Sequence, residues 1–327
     1  MDGRVLVTGG AGFIGSHLVD ALMEMGSSVV VLDNMSSGRR ENLKRWIGDE
    51  KLELIVGDCL NPKDVERALD GCEMVFHLAA NAEVRRGVFD TRIDLEQNVM
   101  ATYNLLEGMR KSGTAKTLAF TSTSTVYGEA DVIPTPEGYG PLRPISLYGA
   151  SKLACEAMIS AYSHMFGFRS IVYRFANIIG SRSRHGVIWD FIHKLLSNPK
   201  ELEILGDGRQ SKSYLLVDDC VEAMLTGLKG LDSSGSNFEI YNIGSEDQVD
   251  VTTIARVVVE CMGLRDVRFR YKVDVEGGVG WVGDVKFMLL DISKIKRLGW
   301  RPKHNSLEAV REAAESILEE IGYKRKA

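Results

Sequence analysis

The run Arg4-Val5-Leu6-Val7-Thr8-Gly9-Gly10-Ala11-Gly12-Phe13-Ile14-Gly15-Ser16-His17-Leu18 constrains this chain more than any other stretch. A short apolar run breaks into glycines and then resumes at helical spacing, which reads as strand, tight turn, helix. Gly9, Gly12 and Gly15 let the backbone turn sharply, approach a pyrophosphate closely and pack helix on strand, while the helix N-terminus offers its N–H groups to phosphate oxygens. A second β-branched run, Ser28 to Leu32, follows and ends on Asp33. An acid at the tip of the second strand, about 20 residues after the turn, is placed to take both ribose hydroxyls of adenosine and to repel a 2′-phosphate. The pattern favours NAD over NADP, with Arg39 and Arg40 pulling the other way. The alternative is a plain βα turn with a surface aspartate.

The rhythm of strand and helix continues from there. Helix-period residues Phe13, Leu18, Ala21, Leu22 and Met25 close at Gly26, and the polar stretch Asn34 to Asn42 reads as a loop at the C-terminal edge of a sheet, where ligands sit in this architecture. Leu52 to Val56 is a third strand ending in Gly57-Asp58. Asp58 there either accepts a hydrogen bond from an adenine amino group or caps the strand end. Asn61-Pro62-Lys63-Asp64 opens a short helix, and Met74 to Leu78 is a fourth strand, followed by Ala79-Ala80-Asn81-Ala82, small residues that let backbone lie against a flat ligand. Leu95 to Lys111 is a long amphipathic helix with Asn98 near its start, and Thr117 to Phe120 is the next strand. The alternation predicts an α/β fold built on a doubly wound parallel sheet of Rossmann type with right-handed crossovers.

A chain of 327 residues divides in two on this reading, because single cores stop growing near about 250–300 residues. The rhythm loosens after residue 175, so the expected domains are 1–174 for the dinucleotide and a smaller α/β domain, 175–327, with a segment near 238–245 returning to the sheet. The net charge of −5 comes without blocks of like charge and implies neither a nucleic-acid nor a membrane surface. Five cysteines, at 59, 72, 155, 220 and 261, form no C-x-x-C pair and fit buried thiols in a reducing compartment. With the first strand beginning at residue 4 and no apolar run near the roughly 18 residues that span a bilayer, a cytoplasmic protein is expected.

Thr121-Ser122-Thr123-Ser124-Thr125-Val126-Tyr127-Gly128 ends a strand at the face where the cofactor belongs, and Tyr148-Gly149-Ala150-Ser151-Lys152 heads a helix further on. The i,i+4 spacing puts Tyr148 and Lys152 on one helix face. A tyrosine with a reference pKa near 10 is too weak a base at neutral pH, but an adjacent ammonium and a positive nicotinamide ring both stabilise the phenolate. Thr123 supplies a third hydroxyl able to bridge a substrate hydroxyl and Tyr148. The alternative is an exposed tyrosine beside a solvated lysine.

With these residues on the page the chain resembles the extended short-chain dehydrogenase/reductases, and within them the UDP-glucose (UDP-galactose) 4-epimerase family of archaeal type. The resemblance covers nearly the whole chain. It rests on Thr8-Gly9-Gly10-Ala11-Gly12-Phe13-Ile14-Gly15, Asp33-Asn34-Met35-Ser36-Ser37-Gly38, His77-Leu78-Ala79-Ala80, Asn98, the set Thr123, Tyr148 and Lys152, Arg174-Phe175-Ala176-Asn177, and Gly206-Asp207-Gly208-Arg209-Gln210. It implies tightly held NAD that is not consumed, with Thr123, Tyr148 and Lys152 catalytic. It implies a cofactor site of Gly9, Gly12, Phe13, Ile14, Gly15, Asp33, Asn34, Ser36, Ser37, Gly38, Asp58, Cys59, Leu78, Ala79, Ala80, Asn98 and Ser122, together with Tyr148 and Lys152. A UDP-sugar would be held by Asn81, Thr123, Asn177, Arg184, Val187, Ile188, Gln210, Lys212 and Asp284. Helices at 95–111 and 149–166 resemble the pair that joins the family's homodimers, so a homodimer is expected.

Sister enzymes resemble this chain but carry an Asp-Glu pair after the threonine, for dehydration, or a Glu just before Val-Tyr-Gly, for decarboxylation; here Ser124 and Thr125 stand in those places. The absence of an acid favours interconversion of UDP-glucose and UDP-galactose through a 4-keto sugar. Two arginines that the family uses on the diphosphate are replaced by Lys212 and Trp281, and a lysine holds phosphate as a point charge without bidentate geometry. Arg209, or an arginine of the 182–184 stretch, is the candidate replacement. Trp189 and Trp281 read as packing residues rather than sugar platforms. Arg184 resembles the residue that uronate 4-epimerases set against a C6 carboxylate, which makes UDP-glucuronate the rival substrate. A non-catalytic NAD-binding sensor is the rival from another class.

Overall fold

The computed structural model describes residues 3–81 and 83–324; Ala82 lies outside the described residues. The chain runs through β1 (Arg4–Thr8), α1 (Phe13–Glu24), β2 (Ser28–Asp33), β3 (Leu52–Val56), α2 (Pro62–Leu69), β4 (Cys72–His77), α3 (Arg86–Phe89), α4 (Ala101–Ser112), β5 (Thr117–Thr123), α5 (Leu147–Phe166) and β6 (Arg169–Phe175). It continues through β7 (Asn177–Ile179), α6 (Val187–Ser197), β8 (Glu201–Leu205), β9 (Ser211–Lys212), β10 (Tyr214–Leu216), α7 (Val217–Ser234) and β11 (Phe238–Ile243). It ends with β12 (Val249–Asp250), α8 (Val251–Cys261), β13 (Arg268–Lys272), β14 (Phe287–Met288), α9 (Ser293–Lys296) and α10 (Ser306–Glu320).

Contacts divide the chain into two compact units. The first holds residues through Val126, then Leu147–Arg174 and Val221–Tyr241; the second holds Tyr127–Ser146, Phe175–Cys220 and Asn242 onward. A single cut at residue 174 is therefore not how the chain folds. The segment after β5 belongs to the second unit because Tyr127 donates its hydroxyl to Asn242 Oδ1 at 2.7 Å and Asn242 Nδ2 donates to the Thr135 carbonyl at 2.9 Å. Residues 221–241 belong to the first unit, where β11 supplies an edge strand.

The first unit carries a seven-stranded sheet in the order β11-β6-β5-β4-β1-β2-β3, with β5-β4-β1-β2-β3 paired in parallel. The order reverses between β1 and β4, and in an open α/β sheet ligands bind in the crevice at the carboxyl ends of the strands at such a reversal. In β2 the residues from Val29 to Asp33 are buried, and the unbroken apolar run Val29-Val30-Val31-Leu32 is what a strand covered on both faces requires. Leu6, Val30, Leu32, Val75, Leu118 and Phe120 pack with Leu105, Met109 and Ile159 of α4 and α5 in one core. Asn61 caps α2 by accepting from the Lys63 amide at 3.2 Å, with Pro62 at the first helical position.

One helix departs from the expected regularity. The segment 95–111 enters as a π-helical turn, Leu95–Met100, and becomes α-helical only in α4. Within this turn the Asn98 carbonyl accepts from Thr102 Oγ1 at 2.7 Å and from Cys155 Sγ at 3.4 Å, and π-turns cluster at functional sites.

The second unit holds three small sheets, β10-β7, β12-β9-β14 and β13-β8, with α6, α8 and α10 packed through Ile188, Phe191, Ile192, Ile254, Val258, Ala313 and Ile317. Asn305 and Glu308 close a capping box at the start of α10. All five cysteines are free and buried. Among the described residues no helix is long and apolar enough to cross a membrane.

Candidate active site

The first unit builds a cradle where β1 ends. A β-carbon on Gly15 would stand 2.1 Å from the Gly9 carbonyl oxygen, and one on Gly9, whose φ is +69°, would stand 2.8 Å from the Ala79 amide nitrogen. These two glycines are demanded by the fold itself. Gly12 is different, since a β-carbon there would meet only the Gly9 carbonyl oxygen, at 3.1 Å. Gly12 is also the N-cap of α1 and offers no side-chain cap, and the first turn holds no acid, so its N–H groups are left to an anion.

Asp33 at the tip of β2 accepts from the Ala11 amide at 2.9 Å and from the Met35 amide at 2.8 Å. Burial raises its pKa and these two backbone donors oppose the rise. The loop Ser36-Ser37-Gly38 lies against the carboxylate: a β-carbon on Gly38 would stand 2.6 Å from Asp33 Oδ1. Asn34 Nδ2 donates to Asp58 Oδ2 at 2.9 Å, and Asp58 Oδ1 accepts from the Leu60 amide at 2.8 Å, which is the work of a strand-end cap. The neighbouring Cys59 carbonyl accepts from Asn104 Nδ2 at 3.0 Å. The open glycine, the uncapped helix terminus and the carboxylate one strand away fit the pyrophosphate and ribose of a dinucleotide.

Beneath the cradle lies a hydrogen-bonded chain that the sequence did not announce. The Ala79 amide donates to Thr8 Oγ1 at 3.2 Å, Thr8 Oγ1 meets His77 Nδ1 at 2.7 Å, and His77 Nε2 meets Thr102 Oγ1 at 3.0 Å. Thr102 gives its own proton to the Asn98 carbonyl, so the chain closes only if His77 carries its hydrogen on Nε2 and accepts from Thr8 on Nδ1. Burial first, and then the charge of Lys152, push this imidazole down to about 3, so it is neutral. The chain thereby ties the end of β1 and the backbone of Ala79 to the π-turn that carries Asn98.

The Asn98 side chain is fully committed. Its Oδ1 accepts from the Asn81 amide at 2.9 Å, and its Nδ2 donates to Ser151 Oγ at 2.8 Å and to Asp94 Oδ1 at 3.3 Å. Asn81, expected on substrate, directs its Nδ2 to Asp94 Oδ1 at 2.9 Å and to the Glu83 carbonyl at 3.2 Å.

Thr123 ends β5, and its Oγ1 accepts from the Thr125 amide at 3.2 Å and from the Thr125 hydroxyl at 3.1 Å. Ser122 turns away from the cradle and gives its hydroxyl to Glu156 Oε1 at 2.5 Å. Helix α5 starts at Leu147, so Tyr148 lies in its first turn and Lys152 one turn on. Lys152, 2% exposed, donates from Nζ to the Thr121 carbonyl at 2.9 Å and lies 5.9 Å from the Tyr148 ring centroid. Burial pushes this ammonium down to about 8. The Tyr148 phenol moves up, through burial first and the Asp94 carboxylate second, and not down as the sequence reading expected of the neighbouring lysine. The reason is that the environment that desolvates the ammonium desolvates the phenolate as well.

The second unit holds the residues expected on the sugar nucleotide. Lys212 and Asp284 are brought together: Lys212 Nζ lies 2.5 Å from Asp284 Oδ1, the Gly280 amide donates to Asp284 Oδ2 at 3.1 Å, and the ammonium stands 5.4 Å from the Trp281 ring centroid. The lysine thus has an internal counter-ion. Gln210 donates from Nε2 to the Leu205 carbonyl at 3.0 Å, and Asn177 from Nδ2 to the Ser213 carbonyl at 3.1 Å. Arg184 stacks its guanidinium 4.8 Å from the Trp189 ring centroid. Val187 begins α6. Ile188 is a correction: it is 3% exposed in the core of this unit, because α6 buries the stripe Ile188, Phe191, Ile192 and Leu195, so its side chain has no surface for a ligand.

Asp94, Ser151, Thr102 and Glu156 were not singled out from sequence. The available signal was spacing: Asp94, Asn98 and Thr102 recur every four residues, as do Lys152 and Glu156.

Comparison with known proteins fits this geometry. The profile of the NAD dependent epimerase/dehydratase family matches residues 5–244. A putative UDP-glucose 4-epimerase of Methanocaldococcus jannaschii is 34% identical over 94% of this chain and 96% of its own. UDP-glucuronic acid decarboxylase 6 of Arabidopsis thaliana is 33% identical over 99% of this chain and 91% of its own. A crystal structure of a UDP-galactose 4-epimerase superposes with a TM-score of 0.87 at 46% identity, covering 97% of this chain and 99% of the other. With the matched segment spanning the glycine cradle, Asp33, Thr123, Tyr148 and Lys152, the chain belongs to the NAD dependent epimerase/dehydratase family.

Proposed function

We propose that the protein is an NAD-dependent nucleotide-sugar 4-epimerase that interconverts UDP-glucose and UDP-galactose through a 4-keto sugar. The observation that carries the reading is the end of β5. Thr123 is followed by Ser124 and Thr125, and the Thr125 hydroxyl serves Thr123 at 3.1 Å, so the positions after the threonine offer neutral hydroxyls and no acid to protonate a leaving group. Epimerisation needs no such acid.

In this reading Gly9, Gly12 and Gly15, with the first turn of α1, hold the pyrophosphate of NAD, and Asp33 holds the adenosine ribose. NAD held there would supply the hydride acceptor and donor that oxidation and re-reduction at the sugar C4 require. Tyr148 removes the proton of the C4 hydroxyl and gives it back, Lys152 steadies the phenolate, and Thr123 orients the hydroxyl. Asn177, Gln210, Lys212 and Asp284 serve the nucleotide. Exposed Leu95, Met100, Tyr103, Met165 and Phe166 support a homodimer formed through α5 and the segment that contains α4.

UDP-glucuronate is the second reading, and Arg184 supports it: stacked on Trp189, it has no carboxylate partner among the described residues and keeps its in-plane N–H groups available.

Purified protein with a trace of NAD is incubated separately with UDP-glucose and UDP-glucuronate, and the anomeric protons are followed by NMR. A galacto product from UDP-glucose supports the proposal. A galacturonate product alone replaces the substrate with the uronate, and NAD binding without turnover of either turns the reading to a sensor.

A further inference from the structure

Asp94 is a buried carboxylate that the proposed chemistry does not use. It is 1% exposed, at the foot of the π-turn. Its Oδ1 accepts from Asn81 Nδ2 at 2.9 Å and from Asn98 Nδ2 at 3.3 Å, while Oδ2 has no hydrogen-bond partner among the described residues. A carboxylate oxygen buried without a donor is costly, and burial raises the Asp94 pKa accordingly. From Asn98 a chain of hydrogen bonds leads on, Nδ2 to Ser151 Oγ at 2.8 Å and Ser151 Oγ to the Tyr148 carbonyl at 2.8 Å. Gly87 explains how the carboxylate comes so close to α5: a β-carbon there would stand 2.6 Å from Asp94 Oδ2 and 3.5 Å from Leu147 Cβ, so only glycine fits between the acid and the first residue of the helix.

We propose that Asp94 is a positioning residue for the Tyr148–Lys152 pair, tying the first turn of α5 to Asn81 and Asn98 and setting a buried carboxylate against the start of that helix. The proposal rests on the reading of Tyr148 as the proton-transfer group. Its chemical sense is balance. Burial already holds Tyr148 as the phenol beside the ammonium, and a carboxylate near it adds to that hold, so ionisation depends on added positive charge at the site.

The other charges around the pair are accounted for. On α5 the titratable groups there are Lys152, Cys155, whose thiol burial pushes up, and Glu156, which is neutralised by Arg174 of β6 at 2.6 Å. His77 on β4 is neutral, and the end of β5 offers only the hydroxyls of Thr121, Ser122 and Thr123. Before the π-turn, Arg85 pairs with Glu83 and Arg92 with Glu96, while Asp90 adds a further negative charge toward Asp94 and Arg86 stands on α3. Asp94 is the carboxylate that acts on both Tyr148 and Lys152.

The test is a tyrosinate titration by near-ultraviolet absorbance on the NAD-loaded protein, taken as the difference between each variant and the same variant carrying Tyr148→Phe. Asp94→Asn, close in shape and still able to accept from Asn81, is expected to lower the Tyr148 midpoint, giving about tenfold more phenolate at a given pH below it. The acid limb of kcat/KM moves down with it. Asp94→Ser is the second variant and is expected to shift the same way. Ser151→Ala, which breaks the chain but keeps the charge, is expected to lower kcat with the midpoint unmoved. An unmoved midpoint in a folded Asp94 variant overturns the proposal, as does failure of both Asp94 variants to fold while Ser151→Ala folds, which would leave Asp94 serving the fold alone. The titration needs no sugar, so absence of turnover in the unmodified protein counts against the epimerase reading and leaves this test standing.

Discussion

Glu156 and Arg174 form a buried ion pair in the first unit, with Arg174 Nη2 2.6 Å from Glu156 Oε2 and Nε 3.1 Å from Oε1. Ser122 completes the group on Oε1 at 2.5 Å, which locks the residue beside Thr123 to α5 one turn beyond Lys152. Removing one partner of such a pair leaves a buried charge uncompensated, at a cost of about 3–5 kcal/mol. Glu156→Ala is therefore expected to lower stability by that amount in denaturant unfolding. Replacing both with apolar residues of similar size, Glu156→Leu with Arg174→Met, is expected to recover most of the loss. Equal losses in the single and double variants would contradict the account.

The two kinds of glycine in the cradle separate fold from binding. Gly15→Ala drives a methyl group into the Gly9 carbonyl, where backbone and not a flexible side chain must yield, and a loss of about 2 kcal/mol or more is expected. Gly12→Ala meets a single atom at 3.1 Å and is expected to fold nearly as stably while purifying with little NAD. Thermal unfolding and the NAD content of each variant check this together.

His77 links stability to pH. Its folded value of about 3 lies below the ordinary 6.5, so between these limits the unfolded chain binds the extra proton. Stability therefore falls as pH drops through that window, by as much as several kcal/mol in all. Denaturant midpoints measured from neutral to acid pH are expected to show the slope, and His77→Gln is expected to flatten it. Long-range nitrogen–proton NMR is expected to find the hydrogen on Nε2.

Lys152 follows the same sign in an alkaline window. Its value is lowered from 10.5 to about 8, so at neutral pH the folded protein carries a desolvated ammonium whose cost fades as pH rises from about 8 toward 10.5. Lys152→Met is expected to raise stability at pH 7 by a kcal/mol or more and to lower turnover by about a hundredfold. A variant both less stable and fully active would contradict the assignment.

Much of the cradle was legible in sequence because it is local. The glycine turn, the β-branched run ending on Asp33 and the Tyr148–Lys152 spacing each lie within one element or one connection. What could not be read depends on distant parts of the chain meeting. Asp94 is linked to Tyr148 through Asn98 and Ser151, which folding brings together. The upward push on Tyr148 comes from burial, which no spacing reports. Ile188 carried a family expectation that the apolar stripe of α6 overrides. The division of the chain was half visible: β11 returns to the sheet as its apolar run suggested, but the transfer of 127–146 to the second unit rests on Tyr127 meeting Asn242, far away in sequence.

The most direct measurement follows the C4 hydrogen itself. UDP-glucose carrying deuterium at C4 is incubated with the protein and a trace of NAD, and the product is examined by NMR and mass spectrometry. The account predicts UDP-galactose that keeps its deuterium at C4, with no accumulation of reduced cofactor and no turnover in Tyr148→Phe. A product that has exchanged C4 deuterium for solvent hydrogen, or conversion that persists without Tyr148, would contradict it.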